Sequence, residues 1–576
     1  MKDLMPEVKG MQAIKARPIV VKKLEELGAL VSIEDYTHNV GKCERCKTTV
    51  EPRVSEQWFV KMKDLAKPAI DAVKNEDVKF VPKKYEKIYF NWMNNIQDWC
   101  ISRQLWWGHR IPAYYCQDCG HINVAKKMPE KCEKCGSNNL KQDPDTLDTW
   151  FSSALWPFST LGWPNKDAED LKMFYPTNVL VTAYDIITFW VSRMVFSGYY
   201  AMKEKPFSDV LIHGIVRDSQ GRKMSKTLGN GVDPIEVIDK YGADSLRFSV
   251  LSGTTMGNDI KYMPEKLEQA SNFANKIWNA AKFIIMNRPE ESKIIEYKNN
   301  KDKKLNVEDK WILNKLNKLV KEVTSNIEKY DLGIAIDKIY NFMWNEYCDW
   351  YIEMAKIRLY NGSEKEKINT SYVLDEVFRT CLKLLHPFMP FVTSKIYENL
   401  VKYDNKDLMV SSWPEAREDI NYDNEEDLIE KIKKMIVEIR NIRNTKNIHP
   451  TKKSELIFIS NSHADNLQEL EGILLKLGFG NKVTIRKTKE NIPEDSINIL
   501  ENDLELYIPL EGLIDKEEEK KRLEEERKRL ESEVARCEKM LSNPGFVNKA
   551  PKAKVEEEQE KLKKYKEMLD KVLEQL

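Results

Sequence analysis

The chain has no net charge: 92 lysines and arginines balance 92 aspartates and glutamates, although charged residues make up 32% of it. Global electrostatics therefore argue neither for nor against a polyanionic partner. Long apolar runs are also missing. The one candidate span, residues 178–200, is interrupted by Asp185 and Arg193. It reads as a buried strand followed by a buried helix, not as a membrane crossing. The N-terminus has no apolar leader core and no transit-peptide bias, which points to the cytoplasm. Histidine is scarce, with seven in the chain, at 38, 109, 121, 213, 386, 449 and 463. What is present is length: 576 residues, enough for three to five domains.

Cysteine is used in pairs. Cys116-x-x-Cys119 and Cys132-x-x-Cys135, with twelve residues between the pairs, form a complete four-thiolate set. Glycines follow directly at Gly120 and Gly136, and this spacing predicts a zinc ribbon over 114–137. Disulfides and inert buried thiols are the alternatives, and the lack of a secretory leader weighs against disulfides. A further knuckle, Cys43-Glu44-Arg45-Cys46, has no second pair left and reads as half a metal site. Cys100, Cys348, Cys381 and Cys537 are scattered and read as packing residues.

The most specific string begins after the apolar run Val210-Leu211-Ile212, which predicts a buried strand. It comprises His213-Gly214 and, nine residues after the glycine, Lys223-Met224-Ser225-Lys226-Thr227-Leu228-Gly229-Asn230. Two lysines three apart on a loop can close over a triphosphate and neutralise charge on departing pyrophosphate. Two lysines alone would favour a solvated loop; the whole string is too specific for that. It resembles the signature loop of the class I aminoacyl-tRNA synthetases, Lys-Met-Ser-Lys-Ser, with Thr227 keeping the hydroxyl of the last serine. The resemblance implies ATP, carried with Mg2+, as a substrate. It makes Lys223 and Lys226 catalytic, with His213, Gly214 and Ser225 joining them in binding ATP.

Flanking strings narrow the resemblance. Asp148-Thr149-Trp150-Phe151-Ser152-Ser153, Val179-Leu180-Val181-Thr182-Ala183-Tyr184-Asp185-Ile186-Ile187, Trp106-Trp107-Gly108-His109-Arg110 and Val50-Glu51-Pro52-Arg53 are similar to the valyl-tRNA synthetase family. That likeness runs along the whole chain. Carried over, Trp150, Ile186 and Trp190 wall a pocket for the valine side chain, where rigid aromatic and aliphatic surface suits a small branched group. Taken singly, each tryptophan reads as core packing.

Class I enzymes build their nucleotide site from two halves of one doubly wound sheet, the first supplying a His-Ile-Gly-His-type motif. None of the seven histidines sits in such a motif. The first half of the catalytic domain is therefore expected to be absent from these residues. Gly10 to Gly28 resembles the end of the family's inserted editing domain, so residues 1–36 are expected to be its remnant. Editing against threonine, which an apolar valine pocket needs, is not expected here.

Residues 37–262 then read as the second half of the catalytic domain, with the signature loop at 223–227. Beyond 263 the pattern is helical. Phe273, Ile277, Trp278 and Ala281 share one face, and Asn272-Phe273-Ala274-Asn275-Lys276 and Cys348-Asp349-Trp350-Tyr351 resemble the family's anticodon-binding bundle, placed at 263–420. Residues 421–510 mix a basic helix with strand-like runs, Leu456–Ile459 and Leu504–Ile508, and predict a small α/β module. Between Lys431 and Lys453 there are eight lysines and arginines against one acid, Glu438, which suits either phosphate contact or a solvated helix face.

From 511 to 576 heptad spacing dominates: Leu523, Leu530, Val534, Cys537, Leu541, then Val555, Leu562, Tyr565, Leu569, Val572, Leu576. The break at Asn543-Pro544-Gly545-Phe546 folds these arms into an antiparallel coiled coil, which the family uses against the tRNA body. The expected architecture is thus a partial doubly wound (Rossmann-like) α/β catalytic domain with a zinc ribbon, an α-helical bundle, a small α/β module and a coiled coil. The resemblance implies valine activation with ATP and transfer to tRNA(Val) by a soluble monomer, or by this chain with its missing N-terminal half supplied in trans. The alternative is a tRNA-binding module without activity of its own.

Overall fold

The computed structural model describes residues 5–575 except 44–45, 52–53, 226–227, 301–302, 404–405, 512, 514–515 and 550, and leaves the side chains of 516–523, 547–549, 553 and 574–575 undescribed. Lys226, Thr227, the side chain of Leu523 and Leu576 thus lie outside the description. The chain folds as two units, residues 1–62 with 97–152 and residues 63–96 with 153–576.

In the first unit, the helix Ala13–Glu26 has no buried residue, and Ile14, Leu27, Val31 and Ile33 are exposed. The ordered centre is a three-stranded antiparallel sheet in which Ala113–Cys116 lies between Ile122–Val124 and Leu140–Gln142. Ala113, Tyr114 and Cys116 are buried in its middle strand. Asp143, just after the third strand, accepts from Trp58 Nε1 at 2.8 Å and from the Tyr115 hydroxyl at 2.7 Å.

The second unit begins with helix α1 (Lys63–Lys74) and strand β1 (Lys79–Val81). Strands β2 (Thr177–Ala183) and β3 (Phe207–His213) run parallel, joined by helix α2 (Ser192–Ala201), and β3 sits between β1 and β2. Parallel neighbours need such a crossover, and the apolar side chains of both faces must then be covered. Val210 and Ile212 of β3 are fully buried, α1 buries Ala66, Ala69 and Val73, and α2 buries Met194, Val195 and Phe196. The run 178–200 is accordingly a strand and a helix joined by a wide helical turn, Ile187–Val191. Arg193 explains its own place there: its guanidinium donates to the carbonyls of Thr188 at 2.6 Å and Phe189 at 3.1 Å, in the turn where regular helical bonds lapse.

The helices that follow are α3 (Pro264–Asn287), α4 (Val307–Glu328), α5 (Leu332–Asn341) and α6 (Glu364–Leu385). Both α4 and α6 open with capping boxes, Asn306 with Asp309 and Ser363 with Glu366. Trp311, Tyr347, Tyr351, Phe273 and Phe378 are fully buried between them. Helix α7 (Asp423–Thr445) packs along α4, and its Ile432, Met435, Ile436 and Ile439 extend the same apolar core. That core continues into a four-stranded sheet of β4 (Ser454–Ile459), β5 (Gly480–Arg486), β6 (Ser496–Glu501) and β7 (Leu504–Pro509), in the order β5-β4-β7-β6.

Half of the basic block of 431–453 is paired within the fold, while Arg440, Lys452 and Lys453 are exposed. Lys431 pairs with Asp427 and Asp503, Lys433 with Glu346 and Glu430, and Lys434 with Glu501. Arg443 donates to the carbonyls of His449 and Lys452. At the C-terminus, α8 (Lys516–Leu541) and α9 (Lys552–Gln575) pack against each other. Leu530 and Cys537 are buried at that contact, with Val534, Leu541, Val555, Leu562, Tyr565, Leu569 and Val572 partly exposed. Glu558, an acid at the heptad core position between Val555 and Leu562, is also buried there, paired with Arg536 at 2.8 Å. No helix among the described residues is long and apolar enough to cross a membrane.

Candidate functional site

Two parallel strands of the second unit end side by side, with Ala183 of β2 level with His213 of β3. The carboxyl ends of parallel strands are where doubly wound folds place ligands. Here they deliver Tyr184-Asp185 from one strand and His213-Gly214 from the other. His213 is exposed, and its Nδ1 lies 2.7 Å from the Gly214 carbonyl oxygen. Glycine at 214 is dictated by space: a Cβ there would lie 1.8 Å from the Asn258 carbonyl oxygen and 2.2 Å from its carbon. No side chain tolerates that approach to a backbone.

Asp259 ties these turns together. Its carboxylate accepts from the Ile215 N–H at 2.8 Å, from Arg217 Nε at 2.5 Å and from the Tyr184 hydroxyl at 3.1 Å. Tyr85 stacks on Tyr184 with the ring planes 6° apart. Burial alone would raise the Asp259 carboxyl, but the Ile215 N–H, Arg217 and Tyr184 outweigh it and hold it below the usual carboxylate range.

Lys223 reaches the strand ends from the signature loop, its Nζ 3.0 Å from Asp185 Oδ2. The two side chains are 60% and 36% exposed. An ion pair so open to water contributes ~0–1 kcal/mol, so a polyphosphate can displace the carboxylate from the lysine. Ser225 is exposed, and its Oγ accepts from the Leu228 N–H at 3.2 Å. The structure thus brings His213, Gly214, Lys223 and Ser225 to one region, while Lys226 lies outside the described residues.

Of the three proposed valine-pocket residues, Ile186 and Trp190 are partly buried in the second unit, where the rings of Trp190 and Trp156 lie 5.7 Å apart. Trp190 Nε1 donates to the Ser153 carbonyl at 3.3 Å. Trp150 belongs to the first unit, in a short helix, Thr149–Ser153.

The four cysteines converge without any sequence adjacency between pairs. Cys116 Sγ and Cys135 Sγ are 3.6 Å apart, Cys119 Sγ and Cys132 Sγ 3.7 Å, and all four sulfurs lie within 4.8 Å of one another. Sulfurs about 2.3 Å from a tetrahedral zinc stand about 3.8 Å from each other, so the cluster fits that ion. Each knuckle has the same backbone. The Cys116 N–H donates to His121 O and the Gly120 N–H to Cys116 O; the Cys132 N–H donates to Ser137 O and the Gly136 N–H to Cys132 O. Gly120 and Gly136 both take positive φ. The Cys43 knuckle repeats the pattern: its N–H donates to Thr48 O, the Lys47 N–H to Cys43 O, and Lys47 has φ 59°. The half-site is therefore built like the complete one, with two thiols in place of four.

Sequence reasoning missed Asp259, Asp218 and the structural use of Asp185, which it treated only as an interruption of an apolar run. Asp185 stood inside a quoted string, and that adjacency to a strand end was the available signal.

A family profile described as tRNA synthetases class I (I, L, M and V) matches residues 23–263, one described as anticodon-binding domain of tRNA ligase matches 309–458, and one described as valyl tRNA synthetase tRNA binding arm matches 515–576. Over residues 23–263 the chain matches the class I tRNA synthetase family. Within that family it is similar to the valine--tRNA ligases: 52% identical over 574 residues to that of Clostridium tetani, and 49% over 561 residues to that of Thermotoga maritima. These alignments cover 100% and 97% of this chain, but 65% and 63% of the relatives. The chain thus spans about two thirds of the length of the curated relatives it matches.

Proposed function

We propose that these residues carry the second half of the catalytic centre, and the tRNA-binding parts, of a valine–tRNA ligase. The reaction condenses valine with ATP and passes the acyl group to the terminal ribose of tRNA(Val). The observation that carries the reading is the meeting of His213-Gly214, Tyr184-Asp185 and the loop lysine Lys223 at the ends of β2 and β3. Such a site needs no covalent nucleophile. It works by positioning ATP and neutralising charge on the leaving pyrophosphate. His213 and Gly214 border the adenosine, Lys223, Ser225 and Lys226 face the phosphates with their Mg2+, and Ile186 and Trp190 wall the valine side chain.

Residues 37–262 form the catalytic portion, 263–420 the anticodon-binding bundle, 421–510 a small α/β module and 511–576 a coiled-coil arm against tRNA; residues 1–36 are the end of an editing domain. The setting is the cytoplasm. Cys116, Cys119, Cys132 and Cys135 hold zinc, which cross-links two knuckles of a ribbon over 114–137. Zinc analysis of the purified chain is expected to give one ion, lost in Cys132→Ser. Two ions per chain would mean that Cys43 and Cys46 had recruited other ligands.

The test of the function is amino-acid-dependent ATP–pyrophosphate exchange by the chain assembled with a polypeptide that carries the His-Ile-Gly-His-type half. Valine is expected to support exchange, with methionine and leucine at least about tenfold poorer at equal concentration. Exchange that prefers either of those would contradict the assignment.

A further inference from the structure

The signature loop is closed at its base by two side chains to which the proposed chemistry assigns nothing. Asp218 follows the short strand Val216–Arg217 and is buried. Its Oδ1 accepts from the backbone N–H groups of Gln220 at 3.1 Å and Arg222 at 2.8 Å. Its Oδ2 accepts from Arg222 Nε at 2.7 Å and from Asn230 Nδ2 at 3.0 Å. Asn230 in turn grips the far side of the loop. Its Oδ1 accepts from the Ser225 N–H at 2.9 Å, and its Nδ2 also lies 3.4 Å from the Lys223 carbonyl oxygen.

One amide thus touches the backbone on both sides of Met224 and locks it to a buried carboxylate. Arg217 and Lys223 pair across the turn, so the lysine leaves the loop from a fixed backbone direction. The Asn230 bond, ahead of the opposing effect of burial and aided by Arg222, holds the Asp218 carboxyl far below the usual range, so this clasp stays ionised at any working pH.

We infer that Asp218 and Asn230 are positioning residues for the activation step: their carboxylate–amide clasp aims Lys223 and Ser225 at the phosphates. The inference rests on the proposed role of the loop. A misplacement of about 1 Å at such a site costs on the order of 10²-fold in rate, so the clasp matters even though neither side chain reaches the nucleotide.

The experiment is steady-state ATP–pyrophosphate exchange by the assembled enzyme carrying Asn230→Asp, Asp218→Asn, or both. Asn230→Asp sets carboxylate against carboxylate and is expected to lower kcat at least about tenfold, with KM for valine unchanged. The double exchange restores a donor facing an acceptor between 218 and 230 and still offers the Ser225 N–H an acceptor at 230, although it turns the new amide N–H at 218 toward Arg222 Nε. It is expected to recover kcat in part, at least about threefold over Asn230→Asp. Circular dichroism of each variant separates loss of folding from loss of rate. A single variant within about twofold of the unaltered enzyme, a double variant no better than Asn230→Asp, or a KM for valine that moves as far as kcat would overturn the inference. Absence of exchange from the unaltered assembly would instead remove the proposed function beneath it.

Discussion

Replacing Lys226 with alanine in the assembled enzyme is expected to lower valine-dependent ATP–pyrophosphate exchange by about 10²-fold or more, while tRNA affinity stays nearly constant. The reasoning starts from charge. Adenylate formation moves negative charge onto departing pyrophosphate, and a fixed cation in a water-poor cleft stabilises that change far more than it stabilises bound ATP. The residue before Lys226 is already committed: Ser225 is bonded through its N–H to Asn230 and through its Oγ to Leu228. Lys223, three residues earlier, is held at Asp185. The effect should appear in kcat more than in KM for ATP. An exchange rate unchanged by the substitution would remove Lys226 from its role.

Arg358→Ala is expected to destabilise the helical bundle by about 3–5 kcal/mol, read as a shift in denaturant midpoint. The arginine is the one cation of a buried cluster with two acids. Its guanidinium donates to Asp309 at 2.9 and 2.5 Å, and its Nε lies 2.9 Å from Glu308. Tyr351 and Asn369 supply Asp309 with further donors at 2.7 and 3.2 Å. Side-chain exposures are 9% for Arg358, 2% for Glu308 and 0% for Asp309, so water cannot replace what the substitution removes.

Burial, only partly offset by Arg358, pushes the Glu308 carboxyl up to about 7. An acid raised in the folded state costs stability above that pH, and the cost fades as pH falls toward the ordinary carboxylate range. The loss in Arg358→Ala should therefore be smaller at about pH 5 than at about pH 8. A midpoint within about 1 kcal/mol of the unaltered protein at both pH values would show that the cluster is not what fixes the bundle.

How much of this was legible in the sequence depended on distance along the chain. The signature loop is a contiguous string with specific chemistry, and the cysteine pairs repeat at metal-ligand spacing; both can be read locally. The C-terminal hairpin follows from heptads around a Pro-Gly break. Asp218 and Asn230 lie twelve residues apart in polar sequence, and nothing in spacing alone says that they meet. Asp309 and Arg358 are farther still, separated by 49 residues. Each looks like one of many solvated charges until folding removes the water. The pairing within the basic stretch from Lys431 was hidden for the same reason: the acidic partners Glu346, Asp503 and Glu501 come from other elements. Trp150, Ile186 and Trp190 were named through resemblance, because an aromatic wall and an aromatic core look alike in composition.

The central claim is that these residues furnish one wall of a nucleotide cleft, with Lys223 and Lys226 over the leaving group and a His-Ile-Gly-His-type motif needed opposite. Valine-dependent exchange by the purified 576-residue chain, with and without a polypeptide carrying that motif, tests it most directly. The account predicts near-background exchange by the chain alone and strong exchange once the second polypeptide is added. Robust exchange by the chain alone would contradict it.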